Sequence, residues 1–210
     1  MNFSICPTVT AYSPEEYKKQ IELITAFAPR VHIDYMDGQI APTVSQTVHE
    51  SWWPKRTKAD LHLMYKYPMH TLADIMDHHS NLVIVHAEAE HVSSFVHELH
   101  EHRTKVGIAL LQETSVDILS HYINVVDHVL VFSGNLGHHG GTANLDMLQK
   151  VRDIKAMRPD IEIGWDGGIN DSNILALRDA GVSVFNVGSY IHGSDNPQSA
   201  YQHLQELVQS

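Results

Sequence analysis

Short apolar runs alternate with longer amphipathic stretches along the whole chain. The runs at 3–9, 31–34, 59–64, 82–86, 106–111, 129–132, 161–165 and 184–187 are rich in β-branched residues. Such runs predict strands buried on both faces of a parallel sheet. Between them the spacing predicts helices. The first opens at Ser13-Pro14-Glu15-Glu16, where a serine N-cap, a proline at the first helical position and two acids suit the helix dipole. Others are predicted at 45–53, 69–78 after Pro68, 92–100 with Phe95, Val96 and Leu99 on one face, 116–122, 145–157, 170–180 and 198–208. Gly181 is placed to cap the helix before it. Eight strand–helix units with no long linker predict one α/β domain over 1–210, a closed (β/α)8 TIM barrel. A doubly wound open sheet is the alternative and normally uses fewer units. Apart from this alternation there is no internal repeat or low-complexity tract.

In such a barrel chemistry gathers where strands end and loops begin, so polar residues at strand ends carry the functional signal. The second run continues as Val31-His32-Ile33-Asp34-Tyr35-Met36-Asp37-Gly38. His32 and Asp34 are two apart, so the pleat aims both at the barrel mouth. The third ends in Asp60-Leu61-His62-Leu63-Met64, the fourth in Val85-His86-Ala87-Glu88, and the seventh in Trp165-Asp166-Gly167-Gly168. One such residue is an ordinary loop cap; four strands delivering them to one rim form a pattern. His32, Asp34, His62 and Asp166 make a set of two nitrogens and two carboxylates that suits Zn, Fe or Mn with room for water or substrate. Gly137, Gly140 and Gly141, then Gly167-Gly168, then Gly188-Ser189 follow the last three strands. Backbone N–H groups in such loops can cradle a phosphate, and glycine pairs also serve ordinary turns.

Composition narrows the partners. Lys and Arg number 14 against 25 Asp and Glu, a formal net charge of −11. That balance argues against nucleic acid or an anionic membrane as partner, yet leaves room for one small phosphate held by backbone N–H groups. With 43% hydrophobic and 19% charged residues the chain is too apolar for disorder. The lone cysteine, Cys6, excludes an internal disulfide framework and a cysteine zinc cluster, and it fits a reducing compartment. No basic segment followed by a long apolar run opens the chain, and no run approaches the ~18 apolar residues of a membrane span. A cytoplasmic location is therefore expected. The 17 histidines outnumber Lys and Arg together; either they hold a metal or they are a compositional bias. His78, His79, His97, His100 and His102 read as solvated surface. His138 and His139, in a glycine loop, either donate to a phosphate or fill a turn. Trp52-Trp53-Pro54 reads as packing or a subunit contact, Lys66 as a solvated lysine, and Cys6 as buried and inert.

These motifs together resemble the ribulose-phosphate 3-epimerase family over nearly the whole chain. The family's His-x-Asp-x-Met-Asp-Gly is His32-Ile33-Asp34-Tyr35-Met36-Asp37-Gly38 here, and its Asp-x-His-Leu-Met is Asp60-Leu61-His62-Leu63-Met64. His86-Ala87-Glu88, Asp166-Gly167-Gly168-Ile169 and Gly188-Ser189 match its later motifs in order. The resemblance implies a ribulose-phosphate-binding barrel that epimerises a ketose phosphate at C3, foremost D-ribulose 5-phosphate to D-xylulose 5-phosphate. It implies one divalent metal ion (Zn, Fe(II), Mn or Co) on His32, Asp34, His62 and Asp166, with Asp34 and Asp166 as the acid/base pair. Thr8, Met36, Met64, His86, Gly141, Gly168, Gly188 and Ser189 are the implied substrate contacts, the last four for the phosphate; His86 is also a candidate support behind the metal ligands. A homo-oligomer is implied as well. The chemistry fits, because epimerisation beside a ketone needs two groups on opposite faces that exchange acid and base roles, and a cation stabilises the enediolate.

Three loops depart from the family. Asn135-Leu136-Gly137-His138-His139-Gly140-Gly141 replaces Asn-Pro-Gly-Phe-Gly-Gly, Gln39-Ile40-Ala41-Pro42-Thr43 replaces His-Phe-Val-Pro-Asn, and Leu111-Gln112 replaces Asn-Pro. They shape the sugar pocket, which leaves open a ketohexose 6-phosphate such as allulose 6-phosphate. Two other classes compete. Barrel lyases and decarboxylases use Asp-x-Lys-x-x-Asp, whereas Asp34-Tyr35-Met36-Asp37 has no lysine. A catalytically silent sugar-phosphate or metal-binding barrel has no need of both Asp34 and Asp166.

Overall fold

The computed structural model describes residues 3–138 and 140–210; His139 lies outside them. Among the described residues eight strands form one closed parallel barrel in sequence order: β1 (Ser4–Val9), β2 (Arg30–Met36), β3 (Lys58–Met64), β4 (Leu82–His86), β5 (Val106–Leu110), β6 (His128–Phe132), β7 (Glu162–Asp166) and β8 (Val184–Val187). Pairing of β1 with β8, Ser4 opposite Val184 and Cys6 opposite Asn186, closes the ring. Every strand lies on a predicted run, though β2 extends through Met36 and so carries the motif from His32 to Met36, with Asp37 and Gly38 just beyond it.

Seven α-helices among the same residues cover the outside: α1 (Pro14–Thr25), α2 (Leu72–Met76), α3 (Val92–Glu101), α4 (Leu148–Met157), α5 (Ile174–Ala180), α6 (Ser189–His192) and α7 (Pro197–Gln209). The Ser13 hydroxyl accepts the Glu16 N–H, as the capping signal required. Gly181 caps α5 at a φ of 116°, a conformation open to glycine. The segment predicted at 116–122 is a 3-10 helix, Val116–His121. The helix predicted at 45–53 does not form. The Met36 N–H donates to the Ser45 hydroxyl at 2.9 Å, and the Ser45 N–H returns to the Met36 carbonyl at 3.1 Å. Thr47 binds the Glu50 carboxylate through both its N–H and its hydroxyl. Short polar side chains here compete with helical hydrogen bonds and win, strapping this segment along the end of β2.

Strand parity divides the interior. Outward residues such as Ile33, Leu61, Val85, Ile108, Val131, Trp165 and Phe185 merge with the helices into one apolar core. Inward residues do not continue that character. At mid-height Leu82, Ile84, Ala109 and Leu130 form a small apolar cluster inside the barrel; the strands are buried on both faces as expected, with polar residues sharing the inner one. Below that cluster Arg30 grips Asp60 at 2.7 Å and both oxygens of Glu162 at 2.9 and 3.1 Å. His128 donates to Glu162 from Nδ1 at 2.9 Å. Above the cluster, toward the strand C-termini, lies the candidate site. Asp60 is buried while Arg30 and Glu162 are partly exposed, and a buried charge paired and hydrogen-bonded in this way is tolerated.

Candidate functional site

The pleat carries His32 and Asp34 into the mouth from β2, and the full β2–β3 register sets Asp34 directly beside His62. Asp166 arrives from β7, across the ring. One ligand atom from each of His32, Asp34, His62 and Asp166 lies within 4.8 Å of all the others, and all four residues are buried. Nε2 of His32 stands 3.3 Å from Asp34 Oδ1 and 3.3 Å from Asp166 Oδ2, while Nδ1 of His62 stands 2.9 Å from Asp34 Oδ1. Neither His32 Nε2 nor Asp166 Oδ2 is aligned to hydrogen-bond, though both are buried. Buried polar atoms without partners are rare and costly. Here they converge with two further donors on one point, an arrangement that fits a cation of borderline softness held by two nitrogens and two carboxylates.

The charges agree with that geometry. Burial disfavours a charged His32, yet the carboxylates of Asp166 and Asp34 push it up to about 10. Burial, reinforced by His86 and His32, pushes His62 down to about 3 against the pull of Asp34. Burial also opposes charge on Asp34, but its contacts with the two imidazoles outweigh this and hold the carboxyl below its usual range. Asp166 is held above its usual range by burial and by the charge of Asp34. The two carboxyls of one site are thus shifted in opposite directions, Asp34 down and Asp166 up.

The cleft over these ligands is lined by Thr8, Met36, Met64, Phe132, Gly168, Gly188 and Ser189, among others. Thr8, both methionines and three of the four residues implied for the phosphate thus line this one cleft. Two do not. Gly141 is exposed and off the cleft wall, and Gly140 lines it instead, because the glycine loop is one residue longer than the family pattern. His86 is fully buried behind His62, its Nε2 2.9 Å from His62 Nε2; it touches a ligand, and the parity that aims it inward leaves it beneath the cleft.

The loop after β6 is latched over the mouth. The Gly137 carbonyl accepts hydroxyls from Tyr12 at 3.1 Å and Thr43 at 2.7 Å, and Leu136 packs on Met36, Ala41 and Met64. His138, in the same loop, is exposed and lines the cleft. Thr10 and Asn186 were missed in the sequence. Thr10 donates to Asp34 Oδ2 at 2.6 Å, and Asn186 lines the cleft with both amide atoms buried and unpartnered. The signal was present in both: Thr10 is two residues beyond Thr8 on β1, and Asn186 breaks the apolar run of β8. Elsewhere, Cys6 is buried as expected, with its thiol pushed up to about 12 by burial. His78 is half-buried rather than freely solvated: it contacts the Val48 carbonyl at 2.9 Å and lies against Trp53.

The model of the Ribulose-phosphate 3 epimerase family matches residues 4–192. A ribulose-phosphate 3-epimerase of Helicobacter pylori (strain ATCC 700392 / 26695) is 30% identical over 215 residues, 98% of each chain. That of Bacillus subtilis (strain 168) is 27% identical over 183 residues, 83% of this chain and 84% of its own. Among solved structures, 3-hexulose-6-phosphate synthase from Salmonella typhimurium superposes with a TM-score of 0.74 at 13% identity, covering 98% of each chain. KGPDC from Streptococcus mutans gives 0.74 at 11% identity, covering 100% of this chain and 98% of its own. At such identity these last two share the fold, and the fold alone. Among the described residues no helix is long and apolar enough to cross a membrane.

Proposed function

Because this chain belongs to the ribulose-phosphate 3-epimerase family, we propose that it interconverts D-ribulose 5-phosphate and D-xylulose 5-phosphate by proton transfer between Asp34 and Asp166. The observation that carries this reading is the convergence of those two carboxylates, from β2 and β7, on one buried centre. A divalent cation held by His32, Asp34, His62 and Asp166 supplies positive charge where the reaction gathers negative charge on oxygen. The base removes the C3 proton on one face, and the acid returns a proton on the other. Thr10 holds the second oxygen of Asp34 and so fixes which oxygen meets the substrate. Met36 and Met64 give the sugar a water-poor wall, and Asn186 offers it one donor and one acceptor. Backbone N–H groups of Gly168, Gly188 and Ser189 receive the phosphate, which an acidic chain can bind without a lysine cluster. Met36 occupies the position of the lysine in the lyase motif, which disfavours that chemistry on the same fold.

The test is incubation of Zn-, Mn-, Co- or Fe(II)-loaded protein with ribulose 5-phosphate in deuterated water. Xylulose 5-phosphate with deuterium at C3 is expected, and Asp34→Asn or Asp166→Asn abolishes both product and exchange. Exchange with none of the four metals refutes the reading and leaves a silent binder. Faster turnover of allulose 6-phosphate moves the substrate and keeps the chemistry.

A further inference from the structure

His62 meets the metal-ligand cluster through Nδ1 and meets His86 through Nε2. The two rings are stacked, with centroids 5.0 Å apart and planes at 24°. Two imidazole nitrogens at 2.9 Å share a single hydrogen, so one is an N–H and the other a lone pair. The far side of His86 decides which. Its Nδ1 lies 3.3 Å from Oε2 of Glu88, and a carboxylate only accepts. An imidazole of His86 that carries one hydrogen therefore carries it on Nδ1, with its lone pair on Nε2. His62 must then donate from Nε2, which leaves its Nδ1 bare toward Asp34, His32 and Asp166.

We infer that Glu88, acting through His86, is a positioning residue that holds His62 in the tautomer able to bind a metal. The inference rests on the metal-centre reading above. Asp34 works against it: at 2.9 Å its Oδ1 invites a hydrogen onto the same Nδ1, giving the tautomer that cannot ligate. Glu88 is itself held in place on its other side. Its other oxygen accepts the Leu111 N–H at 3.2 Å and the Thr114 hydroxyl. Lys150 pins that turn by donating to the carbonyls of Leu111, Gln112 and Thr114, each at 2.7 Å. Phe132 stands beside both rings, 5.9 Å from His62 and 6.2 Å from His86, and both imidazoles are fully buried. A hydrogen-bonded line thus runs from the ligand to the loop after β5. Partners of this kind behind a metal ligand typically set affinity by about 10–100-fold.

Two measurements on the full chain test this. Chelator competition with Zn(II) should show Glu88→Ala binding about 10–100-fold more weakly than wild type, with Glu88→Gln between them, since its amide oxygen still accepts from His86. Long-range 15N–1H spectra of protein without added metal should show His62 protonated on Nε2 in wild type and on Nδ1 in Glu88→Ala. A merely structural role would leave that tautomer unmoved. Zn(II) affinity within twofold of wild type, or the same His62 tautomer in both proteins, overturns the inference. If wild type binds no Zn(II), the metal-centre reading fails, and the tautomer comparison still decides the role of Glu88.

Discussion

Replacing Gly164 with alanine isolates what holds the floor of the site. Gly164 lies in β7, in extended backbone where alanine by itself should stabilise by about 0.4–1 kcal/mol through the unfolded chain. The space forbids it. A Cβ at 164 would stand 2.5 Å from Nε2 and 2.8 Å from Cε1 of His128, and 3.0 Å from a methyl of Leu130. The Leu130 methyl can yield, but His128 cannot. Its Nδ1 is bound to Glu162, and Gly107 closes the opposite side, where a Cβ would meet the ring at 3.2 Å. Overpacking of this sort costs about 1–3 kcal/mol, and turning the imidazole out forfeits a bond to a charged partner worth about 1.5–3 kcal/mol. The steric term wins, and Gly164→Ala should lose about 2–4 kcal/mol, a fall in Tm of about 10 °C for a chain of this length. Urea unfolding with an unchanged m-value measures it. In a His128→Ala background the same substitution refills vacated space, so its cost should vanish, giving a coupling energy of at least ~2 kcal/mol. A Gly164→Ala protein within about 0.5 kcal/mol of wild type, or an equal cost in both backgrounds, refutes the reasoning.

Three further outcomes are expected. Glu162 is held below its ordinary value of 4.5, its contacts with His128 and Arg30 outweighing burial. A depressed acid stabilises the fold above its unfolded pKa and stops doing so as pH falls through the folded one. Glu162→Gln should therefore be clearly less stable than wild type in urea melts at neutral pH, with the gap closing below pH ~4; a constant gap contradicts the assignment. Stripping Zn(II) from protein held at about 1,000 times its Kd should remove about 4 kcal/mol of stability, read by calorimetry as a lower Tm that returns with metal, and an unchanged Tm rules against a bound cation. Asn186→Leu deletes two unpartnered buried polar atoms, so it should match or exceed wild-type stability while lowering kcat/KM by ~10-fold or more; unchanged kinetics would remove Asn186 from the substrate site.

The barrel and its candidate metal-binding motif on β2 were legible because both are written in local order. Strand runs, capping at Ser13 and the two-residue spacing of His32 and Asp34 depend on neighbours along the chain, and parity alone aims that pair into the mouth. The same locality explains the failure at 45–53. Apolar spacing there imitates a helix, but Ser45 finds its partners on Met36, a bond back to β2 that no window of spacing contains. The tertiary structure decided everything that depends on closing the ring. Closure and register bring Asp166 to face Asp34, turn His86 from the cleft to the back of His62, and set His128 in the gap left by Gly107 and Gly164. It also explains part of the histidine surplus: His32, His62, His86 and His128 are all buried inside the barrel. A strand's own sequence specifies which side each residue faces, whereas the neighbour it meets there is set by the stagger of eight strands around a closed sheet.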